Sequence, residues 1–216
     1  MMIAEVELAI VERLSLGMGQ MTRQVSSYGG EMDGDMAEVV RQLPGAWVTF
    51  GGITDSKPTS LTRRRSRVTG RFVVLVGERS VRSEAASRMG GPVHQEVGSY
   101  RMVEAVRRLL AGQDLGLKIS GLVPGKVKTL FNTQLEKSAL SVFACEFDTD
   151  WLEDALEPGE FPLRGAAGTH PDTPFQPYRG RLSEPPPDWL RTRLSYDLNG
   201  SQNAAEDSVE HEPDKS

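Results

Sequence analysis

The sequence predicts an α+β fold: a small mixed, mainly antiparallel sheet of about five strands flanked by helices, with a proline-rich C-terminal extension. Three observations carry that expectation. Stretches with helical spacing alternate with short β-type runs through the first two thirds of the chain. Phe72 to Val76 (FVVLV) is a continuous apolar run of the kind found in a central strand covered on both faces. Past Pro158 the composition changes: residues 158–216 hold nine of the 13 prolines and few aliphatic side chains.

The first element spans residues 2–16. Ile3, Val6, Ile10 and Leu14 recur at spacings of three and four, Glu5 and Glu7 suit a helix N-terminus, and Gly17 and Gly19 are expected to end it. Arg23 to Tyr28 predicts a short strand. Asp35 is a good N-cap, with Glu38 completing a capping box, for a helix that Pro44 stops. Ala46 to Phe50 predicts a strand, followed by a loop rich in Gly, Asp, Ser and Pro. The polar, basic Thr62 to Arg67 leads to the apolar run. Ser83 caps a short helix that ends at Gly90-Gly91, and a longer helix spans roughly 94–111. Strands are expected over Lys126–Phe131 and Ala139–Asp148, the second apolar on both faces. The body is therefore residues 1–157, and residues 158–216 form an acidic, partly disordered extension, with Asn199 to Ser216 expected to be disordered.

Composition excludes several function classes. No apolar run approaches the roughly 20 residues of a membrane-spanning helix, and the N-terminus lacks a signal-peptide pattern. Cys145 is the only cysteine, so neither an internal disulfide nor a cysteine-rich zinc site is expected. The chain is expected to be intracellular and soluble. The net charge of −5 is unevenly spread: residues 1–145 carry 19 Lys+Arg and 14 Asp+Glu, residues 146–216 carry 6 and 16.

Catalytic and cofactor motifs are weak. Gly17 to Thr22 offers a GxG after a helix rather than after a strand, the wrong order for pyrophosphate binding. Gly121 to Val127 is one residue short of a phosphate loop, and Val127 stands where a hydroxyl would hold magnesium. His94, His170 and His211 are far apart, Cys145 lies mid-strand, and the carboxylates from Glu146 to Glu160 read as a solvated face. No enzyme activity, metal or cofactor is expected. Two clusters remain as candidate interfaces. One is the cluster Arg63, Arg64, Arg65, Arg67 and Arg71; in a strand Arg63, Arg65, Arg67 and, past a break at Gly70, Arg71 point one way as a basic stripe. It could meet an acidic protein surface, with nucleic acid the weaker alternative and edge protection the bland one. The other is the apolar island of Trp189, Leu190, Leu194 and Tyr196 in the extension, either a docking arm or a last element packed on its own body.

Four stretches carry a resemblance beyond this: Ser27–Gly52 (SYGGEMDGDMAEVVRQLPGAWVTFGG), Phe72–Arg82 (FVVLVGERSVR), Tyr100–Leu117 (YRMVEAVRRLLAGQDLGL), and Val127–Asp150 with TLFN and ALSVFACEFDTD. Together, over roughly residues 1–155, they resemble a Mu-like bacteriophage and prophage family, a domain of unknown function encoded between head-completion and tail-sheath genes. The resemblance implies a tail-terminator-like fold and a structural protein of the virion neck. Such a protein forms a homo-hexameric ring that caps the tail tube, with possible sheath contact, and presents a surface to the head connector or stopper. The alternatives are a head-completion or connector-stopper protein and a nucleic-acid-binding regulator that uses the arginine cluster. A basic stripe on one subunit meeting acids on its neighbour would suit a closed ring.

Overall fold

A computed structural model describes residues 2–30, 41–59, 61, 64–80, 88–89, 97–135, 138–184, 191–196 and 205–210. The chain divides into two units, Met1–Ala155 and Leu156–Ser216.

In the first unit, helix α1 (Met2–Met18) buries Val6, Ile10, Leu14 and Met18, one residue per turn on a single face. It ends later than Gly17, which is inside the helix for a packing reason. A Cβ there would come within 2.5 Å of the Leu109 side chain, so glycine permits the close approach. Gly19, at φ +49°, takes the left-handed conformation that releases the chain. Strand β1 (Gln24–Ser27) follows, then β2 (Gly45–Pro58), β3 (Arg65–Ser80), helix α2 (Ser99–Leu110), β4 (Val123–Leu135) and β5 (Ser138–Asp154). The sheet order is β1-β2-β3-β5-β4; β1 runs parallel to β2 and every other pair is antiparallel. This is the mixed, mainly antiparallel five-stranded sheet that the sequence predicts.

Side-chain alternation divides the sheet cleanly. Val68, Phe72, Val74 and Val76 of β3, with Phe143, Cys145, Phe147 and Trp151 of β5, face the buried stripes of α1 and α2. Trp47, Leu75, Leu140, Val142 and Ala144 face the other way and form a second cluster with Leu43. The apolar run of β3 is thus buried on both faces at one end of the sheet, as its composition requires.

The strands are longer than predicted. The expected loop after Phe50 is the outer half of β2, which reaches Pro58 through irregularities at Phe50/Gly52 and Ile53/Asp55, with Gly52 at φ +103°. Gly, Asp and Ser are poor strand formers, but a bulged strand paired to a neighbour along its length tolerates them. Nor does Gly70 break β3. It pairs with Thr149 in unbroken register, and a Cβ there would collide with the Trp151 ring. The predicted helix over 94–111 is α2, Ser99–Leu110. The helices expected after Asp35 and Ser83 fall mostly outside the described residues; 41–42 and 88–89 are helical.

The second unit holds more order than its prolines suggest. Thr173–Tyr178 is a 3₁₀ turn, Leu163 and Ser183 form a bridge, and β6 (Arg191–Tyr196) pairs antiparallel with β7 (Ala205–Glu210). Strand β7 lies within the stretch expected to be disordered; its register sets Arg191 opposite Glu210.

Phe72 is fully buried in the core cluster that β3 shares with the two helices. Phe72→Ala should lower unfolding stability by about 3–5 kcal/mol, read as a shifted denaturation midpoint with unchanged m-value.

Candidate functional site

Strand geometry places the arginine stripe. Because β3 and β5 pair without a register shift, Arg65, Arg67, Thr69 and Arg71 share the face that points away from the helices. The same register sets Asp154, Leu152, Asp150 and Asp148 directly opposite them. The result is a cross-strand ladder within one subunit.

Its two ends are bidentate. Arg65 donates to both Asp154 oxygens at 2.5 and 3.1 Å, and Arg71 to both Asp148 oxygens at 2.7 and 2.9 Å. Arg71 also reaches Glu146 at 3.0 Å, and Lys128 of β4 closes on the same carboxylate at 2.5 Å. Between the ends, the Thr69 hydroxyl donates to Asp150 at 2.6 Å. Glu146 matters most energetically, since its side chain is only 7% exposed and has two cationic partners. The Lys128 hydrogen bond holds its carboxyl below the ordinary range against the opposing effect of burial, and the charge of Arg71 adds to this. Asp154 is lowered in the same way by its hydrogen bond from Arg65, but this pair is more than half exposed and adds little stability.

The structure therefore changes the reading of the stripe. Arg65 and Arg71 already have carboxylates of their own chain, so they are not an unmatched basic surface awaiting a neighbour's acids. Arg67 faces Leu152 and is exposed; among the described residues no carboxylate meets it. Arg64 is exposed at the strand entrance, where its carbonyl accepts the Ala155 amide, and Arg63 lies outside the described residues. The acids from Glu146 to Asp154 are strand residues rather than a domain-edge run. Counted over the first unit, residues 1–155, charge comes to 19 basic and 19 acidic side chains; the second unit holds 6 and 11, and so all of the net −5.

The remaining candidates are dispersed. Trp189 and Leu190 lie outside the described residues, while Leu194 and Tyr196 sit in β6 opposite Asp207 and Ala205. They belong to the second unit, the arginines to the first. Cys145 is buried, and burial pushes its thiol up to about 11. His170 accepts the Asp172 amide through Nδ1; His94 and His211 lie outside the described residues. Among the described residues no group of three or more His, Cys, Asp or Glu side chains could hold a metal, and no helix is long and apolar enough to cross a membrane. Gly121, the first glycine of the loop that resembles a phosphate loop, packs instead on the Gly112 carbonyl just before β4 begins.

Sequence reasoning missed a further surface. Phe161, Phe175 and Tyr178 are exposed on the second unit, Tyr178 by 80%. The signal was present in Thr-Pro-Phe-Gln-Pro-Tyr, whose aromatics stand three apart, the period of a 3₁₀ turn.

The ladder supports a pH prediction. Glu146 and Asp154 both have folded-state values below their ordinary ones. Their contribution is therefore present above about pH 4 and is lost as pH falls through the lowered values. Denaturation midpoints measured from pH 6 downward should fall, and Glu146→Gln should flatten that slope. The variant should also cost about 2 kcal/mol at pH 7.

Comparison with curated proteins gives no match. The family model described as Bacteriophage Mu, Gp37 matches residues 2–152, nearly all of the first unit. The chain belongs to the bacteriophage Mu Gp37 family, and so stands among phage structural and assembly proteins.

Proposed function

We propose that the protein is a tail terminator of a Mu-like phage, a non-catalytic neck component that closes into a ring on the end of the tail tube. In this reading it meets the tail tube or sheath on one side and the head connector on the other. The observation that carries it is the coincidence of the family match, residues 2–152, with the mixed-sheet unit, residues 1–155. The phage-like part of the chain thus coincides with the first folded unit.

Surface chemistry supports assembly. Leu8, Leu16, Val123 and Leu130 of the body are 45–80% exposed, and among the described residues β4 is an edge strand of the sheet. Such surface suits subunits that are covered by neighbours. The electroneutral first unit suits protein contacts better than a phosphate backbone, which calls for a basic surface. Within this reading the arginine stripe contributes to an interface through Arg67, because Arg65 and Arg71 are engaged in their own ladder. The island from Trp189 to Tyr196 serves as an arm that reaches a neighbouring subunit or the tube.

Electron microscopy of the purified protein, alone and with its tube protein, tests the proposal. A six-fold ring seated on tube ends is expected. A twelve-fold ring, the mark of a connector, or a persistent monomer would overturn it. Truncation after Glu184 should leave a folded protein that assembles poorly; equal assembly would rule out the arm.

A further inference from the structure

The second unit is built inside out. Across 156–184 the most buried residue is Asp172, whose carboxylate side chain is 12% exposed, while Phe161, Phe175 and Tyr178 are exposed. Hydrogen bonds hold this segment together in place of an apolar core. Asp172 accepts the Leu163 amide at 2.8 Å. The Gln176 side chain donates to the Leu163 and Asp172 carbonyls at 2.8 and 3.2 Å and accepts the Gly165 amide at 3.0 Å. The amides of Ser183 and Arg164 close the loop on the carbonyls of Pro162 and Ser183.

What this frame presents is a rigid aromatic ridge. In a 3₁₀ turn, side chains three apart eclipse, so Phe175 and Tyr178 stand one above the other. Pro174 and Pro177 fix φ between them, and Arg179 at φ +54° ends the turn. Preorganised aromatics lose little entropy on binding and are the commonest anchors of protein interfaces.

The first unit holds a hollow of complementary character. A cleft of about 460 Å³ runs between α1 and residues 109–116, lined with Leu16, Leu109 and Leu115 together with Arg13, and with Glu12 and Asp114 beside them. Leu16 is 80% exposed in it. Its walls are fixed, because Gly17 lies against Leu109 and the Arg13 guanidinium donates to the Leu109 carbonyl at 2.6 Å. The acids on its rim match Arg179, the exposed cation beside Tyr178.

We propose that the Phe175–Tyr178 ridge of one subunit docks in the α1 cleft of a second copy of this chain. This rests on the ring reading and deepens it. A closed ring needs two different patches on every subunit, and the ridge and cleft are such a pair, one convex and aromatic, the other concave and aliphatic. Arg179 against Glu12 and Asp114 sets the orientation.

Cross-linking of the full chain tests the contact. The native thiol, Cys145, is buried, so Gln113→Cys and Gly180→Cys proteins, altered beside the cleft and the ridge rather than at their apolar anchors, each carry one accessible thiol. Mixed and treated with a short bis-maleimide, they should form covalent dimers that neither protein forms alone. Phe175→Ala with Tyr178→Ala should weaken self-association roughly thirtyfold or more, at an unchanged unfolding midpoint. Arg179→Glu should weaken it as well, and adding Glu12→Arg should restore it. No dimer in the mixture would overturn the docking, as would a cross-link confined to single chains that carry both cysteines. Six-fold rings without the cross-link would sink this contact and leave the terminator reading standing; the absence of rings would sink that reading instead.

Discussion

The uninterrupted pairing of β3 with β5 governs most of what the first unit can be. From Arg65↔Asp154 to Ser80↔Ala139 the two strands stay in register, so each residue's face is fixed by its partner's. A slip of one residue would turn Phe72 and Val74 outward and thrust the arginines into the helices. The ladder of Arg65, Thr69 and Arg71 against Asp154, Asp150 and Asp148 is correct only in the observed register, and so is the apolar face beneath α1 and α2. The exposed pairs add little energy one by one. Their role is to make every wrong alignment worse, by leaving charges without partners where the strands cross.

That division of labour explains what could be read from the sequence and what could not. Helix α1 and the centre of β3 were legible because burial alone decides them: a residue per turn in one case, an unbroken apolar run in the other. The outer half of β2 was not, since Gly, Asp and Ser there stay in a strand only because β3 lies alongside. The same holds for the far end of β5, whose acids look like a solvated run until the arginines of β3 are set opposite. Gly70 was misread because a glycine that makes room for an indole cannot be told in one dimension from a glycine that interrupts a strand. The candidate site was legible as a row of arginines on one face, and illegible as a row already neutralised. Tertiary pairing supplies that fact, and no local pattern contains it.

Ten residues matter to the charge arithmetic. Placing the boundary after Ala155 instead of before Glu146 turns a mildly basic body into a neutral one and assigns the entire net charge to the second unit. In the proposed ring, a neutral body with exposed leucines would meet its neighbours by shape and apolar contact, and the net charge of the second unit would disfavour encounter with anionic surfaces.

One buried atom gives the molecule an internal clock. The Cys145 sulfur sits on β5 between Phe143 and Phe147, under the helices, and is the chain's sole thiol. No reagent reaches it while the helices lie on the sheet, so its rate of modification counts the moments when that layer lifts. Fraying of a strand end leaves the count unchanged. A subunit locked in an assembly and one free in solution would keep different time, and the difference would be the hold that the neighbours have on the core.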